Sequence, residues 1–383
     1  EMCIRDRRWG NITPWFALVP AALLLGGCVV APEGAKVERE QMQVAGRTYS
    51  EAREDRVLPA LSPSPTWKEV LHRAFLANGE LEAAYHEWAM AVSRIDQVGT
   101  WPTQSLELGF GYMFSSESMK AFDRTTLSAG LMDPVPLPNK TYQDAAVAWR
   151  EAQAAGERFR KAKFELQAKV LTAWANYVLQ AERIRIQDEN VRLLSLVNTT
   201  AEARVRSGAP QQDLLRSELE LQTARNELET MRSEQVRQRS ALNALLLQPP
   251  EQVIAIPEKL PDARPLYADD ASLVSLGVKN NAELAILQRD TQAREEAVSR
   301  ARLEFQPEFN VMGAITGSVS QELNAVVALP TRLPAIRAMV LEARSDLRRV
   351  KAMADQKRAD VTSEYASTLV ALRDADRRRR VSE

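Results

Sequence analysis

One plan is written twice along this chain of 383 residues, and that duplication limits the fold more than any other feature. Asn78-Gly79-Glu80-Leu81 returns as Asn281-Ala282-Glu283-Leu284, and Pro102 returns as Pro307, at offsets of 203 and 205 residues. Each copy then carries an alternating segment, a second alternating stretch, a proline pair (Pro134 and Pro136; Pro330 and Pro334) and a long alanine-rich stretch. A repeat of this kind folds as one supersecondary unit made twice. The chain divides into a first repeat over 66–247, a connecting segment over 248–270 and a second repeat over 271–383. The second copy stops at Glu383 inside its long helix, roughly 65 residues short of the first copy's plan. With Glu1 in place of an initiator Met, the sequence is expected to be part of a longer reading frame.

The alternating segments predict strands. Leu106, Leu108, Phe110, Tyr112 and Phe114 hold every second position, with Glu107, Gly109 and Gly111 between them. Period two places the large apolar groups on one face and small or polar groups on the other. A transmembrane β-barrel strand needs this pattern, with lipid outside and water inside, over about 9–11 residues. The pattern resumes at Leu127, Ala129 and Leu131 after the loop Ser115–Arg124. Phe309, Val311, Gly313 and Ile315, followed by 326–329, predict a second hairpin. Four strands cannot close a barrel, and open edges are not tolerated in lipid, so a membrane reading requires several copies.

The remainder predicts helices of unusual length. From Lys140 to about Val205 only Gly156 interrupts the helical pattern, and sixty-odd residues at a rise of ~1.5 Å make ~100 Å. A stripe from Tyr142 through Trp149, Phe159, Leu166, Val170 and Tyr177 to Ile184 advances 42 residues in twelve steps. That mean of about 3.5 is the left-handed coiled-coil period. Ser207-Gly208-Ala209-Pro210 breaks the helix, and a second helix over 211–247 returns antiparallel with Leu215, Leu219, Leu228 and Leu242 among its apolar positions. The fold class is therefore mainly α with membrane β: long antiparallel helical hairpins plus two strand pairs, internally duplicated.

The first thirty residues read as an address. Arg5, Arg7 and Arg8 precede an apolar run from Trp15 to Leu25, which suits a signal peptide and falls short of the ~20 residues a bilayer helix needs. Leu25-Gly26-Gly27-Cys28 resembles a bacterial lipoprotein box. It implies cleavage after 1–27 and lipidation of Cys28, with Val29 favouring the outer membrane. Residues 28–65, with Pro32, Pro59, Pro63 and Pro65, read as a lipidated, extended tether with little regular structure.

Composition removes several function classes. Fifty basic residues face fifty-one acidic ones, evenly mixed, so no nucleic-acid partner is indicated; Arg377–Arg380 reads as a solvated helix end. His72 and His86 are the two histidines and have no carboxylate cluster at ligand spacing. No nucleophile elbow, phosphate loop or catalytic carboxylate pair is evident, so neither an enzyme, a cofactor nor a metal site is expected.

Arg204-Val205-Arg206-Ser207-Gly208, followed by Gln212-Asp213-Leu214-Leu215-Arg216 and Glu218-Leu219, resembles the helix-turn-helix tip of the TolC-like outer-membrane efflux proteins. Asn243-Ala244-Leu245-Leu246 before Pro249 is similar to that family's exit from the hairpin, and Asn78–Ala83 and Asn281–Leu284 to its two repeat openings. Pro134–Lys140 resembles a segment of the heavy-metal efflux members, with Asn139 where a glycine is usual. The resemblance covers roughly residues 65–383. It implies a homotrimer whose protomers each give four strands to a shared 12-stranded β-barrel, above a periplasmic α-barrel. It also implies a periplasmic adaptor (membrane fusion protein) and an inner-membrane pump, of the resistance-nodulation-division type, as partners. Ser207, Gly208, Ala209 and Pro210 would meet the adaptor, and Asp213 reads as a cap for the returning helix at that tip. The competing reading is a lipid-anchored periplasmic coiled-coil adaptor or scaffold, which would carry one hairpin rather than two strand-bearing repeats.

Overall fold

The computed structural model describes residues 30–52, 55–100, 106–114, 120–131, 137–257, 268–316, 318 and 320–382. The leader 1–27, Cys28, Pro102, Pro134 and Pro136 lie outside the described residues, as do 115–119 of the first hairpin's loop. The elements run α1 (Gly34–Ala45), α2 (Trp67–Ala77), α3 (Gly79–Gly99), β1 (Leu106–Tyr112), β2 (Thr125–Leu131), α4 (Pro138–Arg206) and α5 (Gln211–Leu245). The second copy follows as α6 (Asp270–Lys279), α7 (Ala282–Arg302), β3 (Glu308–Thr316), β4 (Ser320–Ala328) and α8 (Leu333–Ser382).

The duplication extends to the caps. Thr66 accepts a hydrogen bond from the Glu69 N–H, with Glu69 reaching back in a capping box, and Asp269 accepts from the Ser272 N–H at the twin position. Asn78 Oδ1 accepts from the Leu81 N–H at 3.1 Å, and Asn281 Oδ1 from the Leu284 N–H at 3.0 Å. These asparagines satisfy donors that a helix start leaves open. The repeat openings are thus helix punctuation, the same residue type performing the same task twice.

The described residues form two compact units. One takes in the described part of Glu1–Arg39 with Met90–Gln153 and Leu287–Asp355; the other takes in Glu40–Ala89, Ala154–Ile286 and Gln356–Glu383. The first holds the sheet and a helical core of Val92, Ile95, Ala145, Ala148, Ala152, Ala293, Ile336 and Val340. The alanines permit close helix approach, and the core is correspondingly thin. Lys140, almost fully buried at the start of α4, donates to Glu308 Oε1 at 3.2 Å and ties that helix to β3. Gln143, Asp144 and Arg150 of α4 then bond to Glu296, Arg300 and Gln292 of α7.

The second unit holds an aromatic cluster and the helical hairpin. Trp88 stacks on Phe159 with centroids 5.8 Å apart, and Tyr49 and Tyr85 pack edge-on against the same ring. Further along, Val170, Trp174, Tyr177 and Val178 of α4 are buried, as are Leu221, Ala224 and Leu228 of α5. Of the stripe read from sequence, Tyr142 is exposed, while Leu166, Val170 and Tyr177 are buried as expected. Of the apolar positions of α5, Leu228 and Leu242 are buried and Leu215 and Leu219 stand exposed, while Ser217 and Leu221 between and beyond them are buried.

The segment 28–65 is not an extended tether over its described part. It contains α1 and a 3₁₀ turn at Gly46–Tyr49, and it is docked. The Val30 N–H donates to the Gly99 carbonyl at 2.8 Å, Arg39 pairs with Asp96 at 2.7 Å, and Arg56 grips Glu82 with two guanidinium nitrogens. Gly46 lies so close to the Tyr85 ring that a side chain there would overlap the hydroxyl. Burial, followed by the charge of Glu82, pushes the Tyr49 hydroxyl pKa up to about 12. Prolines spaced among polar residues resemble a linker, but single Arg, Tyr and Gly contacts fix this one as a strap.

Candidate functional site

The four strands form one antiparallel sheet in the order β1-β2-β3-β4. Its register decides the chemistry of each face. Leu108 lies opposite Ala129, Phe110 opposite Leu127, and Leu127 in turn opposite Ile315. Phe309 lies opposite Val327, and Gly313 opposite Leu323. All of these residues therefore share one face, and that face is exposed: Phe110 at 74%, Leu108 at 70% and Leu323 at 79%. The opposite face carries Glu107, Ser128, Thr126, Glu308, Asn310, Glu322 and Asn324 among glycines and alanines. On it the hydroxyls of Thr126 and Thr316 share a hydrogen bond of 3.0 Å.

This arrangement is inverted relative to a sheet folded for water. Burying one Leu, Ile or Phe side chain is worth about 1.5–3 kcal/mol, so a soluble fold turns such a face inward. Contiguous exposed apolar surface of this kind marks a membrane or protein interface. No helix of the described residues is long and apolar enough to cross a membrane.

The strands expected at 106–114 and 127–131 are seven residues each, and the ladder continues for one bond beyond β1, from the Met113 N–H to the Arg124 carbonyl at 2.8 Å. Leu106 belongs to β1 by its backbone, with its side chain outside the described residues. Leu108, Phe110 and Tyr112 occupy the predicted face, and Phe114, just past the strand, is 93% exposed. The fourth strand begins at Ser320, well before the expected 326. Glu322 and Asn324 obscured it, yet they sit on the polar face and leave Leu323 and Val327 on the apolar one. Val326 pairs with Asn310 and faces the polar side.

The hairpin tip is a second cluster. The Gly208 N–H donates to the Val205 carbonyl at 3.0 Å and the Ala209 N–H to the Arg204 carbonyl at 3.0 Å. With Gly208 at φ +100° this is a Schellman ending, which satisfies the last carbonyls of α4. Arg204 and Arg206 place positive charge at the helix C-terminus, where the dipole favours it. Pro210 is the first flanking residue of α5, and Ser207, Gly208, Pro210 and Asp213 are all exposed.

Asp213 does not cap α5. The capping position belongs to Pro210, which makes no side-chain hydrogen bond and has no N–H for a carboxylate to take. Asp213 instead adds negative charge to the first turn.

Behind the tip the two helices meet through polar groups that an apolar-stripe reading passes over. Ser217 donates to Asn198 Oδ1 at 2.9 Å, Gln187 Nε2 to the Ala224 carbonyl at 3.1 Å, and Gln180 Nε2 to the Met231 carbonyl at 3.0 Å. At the far end Asn243, fully buried, donates to the carbonyls of Pro250 and Gln252.

No protein-family model and no curated protein matches the chain. Solved structures do. The outer-membrane channel OprN superposes with a TM-score of 0.68 at 16% identity, over 92% of this chain and 84% of that one. The outer membrane protein VceC of Vibrio cholerae gives 0.66 at 16%, over 80% and 79%. The MtrE outer membrane channel of Neisseria gonorrhoeae gives 0.60 at 16%, over 84% and 79%. With its duplicated helices, long hairpin and four-stranded amphipathic sheet, the chain has the fold of these outer-membrane channel proteins.

Proposed function

We propose that this chain is one protomer of a passive duct in the outer membrane, the exit channel of a tripartite efflux system. The observation that carries the reading is the two-faced sheet, apolar and uncovered on one face and polar on the other. Such a wall separates lipid from water, and the smallest transmembrane barrels need about 8 strands. A sheet of four strands, with β1 and β4 at its edges, reaches closure by joining copies of itself. Two copies would reach eight strands; the resemblance to the TolC-like outer-membrane proteins implies three, giving a shared barrel of twelve in a homotrimer.

The rest of the assembly follows from the same reading. The tip at Ser207, Gly208, Ala209, Pro210 and Asp213 meets a periplasmic adaptor, which connects to an energised inner-membrane pump of the resistance-nodulation-division type. Cys28 carries the lipid that helps hold the protein at the outer membrane, with the helices extending into the periplasm. The duct performs no chemistry of its own. The fold of solved outer-membrane channels, shared over most of the chain, supports the proposal.

Size and lipid labelling of detergent-extracted outer membranes test it. The full-length protein should run as a heat-sensitive trimer and take up radioactive palmitate, and Cys28→Ala should lose the label. A monomer released without detergent would remove the barrel and favour a periplasmic scaffold.

A further inference from the structure

The foot of the sheet borders a cavity with two kinds of wall. It has a volume of about 440 Å³ and lies between the sheet's end at Glu308 and Ala328 and the starts of α4 and α8. That size is in the range of small-molecule sites, which pair apolar surface with a few placed polar groups. Glu308 and Ala328 face each other on the polar side of the sheet, so the cavity belongs to that side. Ile336, buried, and Met339, 48% exposed, give it apolar surface from α8, and Leu329 adds more from just past β4. Lys140, Thr331 and Arg332 give it donors.

The charges of that wall are unequally matched. Glu308 accepts from Lys140 at 3.2 Å and Glu304 accepts from Arg300, so each carboxylate already holds a cation. Arg332 is exposed and makes no ion pair among the described residues. Lys140 is 3% exposed, and its ammonium carries three N–H donors. One goes to Glu308, and the other two meet no acceptor among the described residues, although buried donors are ordinarily satisfied. The cavity also sits at the N-terminal end of α8, where the helix dipole favours negative charge. Three independent features of one cavity therefore call for an acceptor that bears a negative charge.

We propose that this cavity seats an amphipathic monoanion, a small apolar body carrying one carboxylate. The carboxylate takes donors from Arg332, Lys140 and the Thr331 hydroxyl, and the apolar body lies against Ile336, Met339 and Leu329. Arg332 suits the head because its planar fork donates to both carboxylate oxygens at once. Glu304 and Glu308 set the limit on the ligand: a second negative charge would meet them, so dianions are rejected. The seat stands on these residues alone. Its use by cargo in transit rests on the duct reading, in which the polar side of the sheet faces the water-filled interior.

Fluorine NMR titration of the full-length protein in a neutral detergent tests the seat. The probes are para-trifluoromethylbenzoate, its neutral amide and the dianionic trifluoromethylphthalate. The benzoate should bind saturably, and the amide and the dianion should bind about tenfold more weakly, the worth of one charge-assisted hydrogen bond. Arg332→Gln, a change at an exposed residue, should weaken the benzoate by a similar factor and leave the amide unchanged. Arg337→Gln, at an exposed arginine of α8 outside the cavity wall, should alter neither. Benzoate binding that survives Arg332→Gln, amide binding as tight as that of the benzoate, or no saturable binding at all would overturn the seat. The size of the same detergent-extracted particle reports on the duct separately. A trimer that fails to bind benzoate overturns the seat alone, and a monomer that binds it overturns the duct and leaves the seat standing.

Discussion

Ile95 and Phe110 are large apolar residues fifteen positions apart, and they meet opposite environments. Ile95, on α3, is 0% exposed, while Phe110, on β1, is 74% exposed. Around Ile95 the apolar groups recur at helical spacing and turn toward neighbouring helices, as water requires. Around Phe110 they recur at every second position and stay uncovered, with Ser128, Asn310 and Glu322 on the opposite face. On the proposed duct reading, the two regions obey one hydrophobic rule under two solvents, water and lipid. Periodicity sets which residues share a face, and the surroundings set which face is outermost.

Substitutions probe that contrast in order of expected size. Trp88→Ala empties the stack against Phe159, and a buried Trp truncation costs about 3–5 kcal/mol. The denaturant midpoint of the detergent-solubilised full chain should fall accordingly. Phe110→Arg on the sheet should cost about 2–4 kcal/mol if that face meets the bilayer interior, and the heat-sensitive oligomer should weaken or vanish. A face bathed in water would instead tolerate the change to within about 0.5 kcal/mol.

A smaller effect is expected at the tip. Gly208→Ala meets no atom within 4 Å, so its cost is the backbone strain of a left-handed residue, about 1–2 kcal/mol. Thermal melting of the full chain would register it.

The smallest effect belongs to the polar links among the helices. Glu283 accepts from Lys161 at 2.6 Å and also from Lys357, and those hydrogen bonds hold its carboxyl below the usual range. A depressed folded pKa stabilises above the unfolded value near 4.3 and loses that contribution as pH falls through the folded value. Glu283→Gln should therefore cost at most about 1 kcal/mol at neutral pH, as suits a partly exposed pair. The difference from wild type should shrink as the pH is taken below the ordinary carboxylate range, and a pH series of melting temperatures would show whether it does.

Much of this architecture was legible in the sequence because its signals are local and periodic. Alternation from Leu106 to Phe114 needs no partner to be recognised, and Ser207–Pro210 ends a helix by its own chemistry. The strap was not legible, since Val30, Arg39, Gly46 and Arg56 acquire meaning only from Gly99, Asp96, Tyr85 and Glu82, which lie far along the chain. Apolar periodicity does not show the hairpin seam where polar residues hold it: Ser217, Gln187 and Gln180 bond across it, while Leu215 and Leu219 stand exposed. The early start of β4 was hidden because Glu322 and Asn324 look like a loop until the register assigns them to the polar face.

The central claim is that one face of the sheet touches lipid and the other water. It is tested most directly by nitroxide labels at Phe110→Cys and Asn324→Cys, in separate full-length chains with Cys3 and Cys28 replaced by alanine, reconstituted into phospholipid vesicles. The account predicts that the label at 110 relaxes with dissolved oxygen, which concentrates in the bilayer, and that the label at 324 relaxes with a water-soluble nickel chelate. Strong relaxation of both labels by the nickel chelate would contradict it.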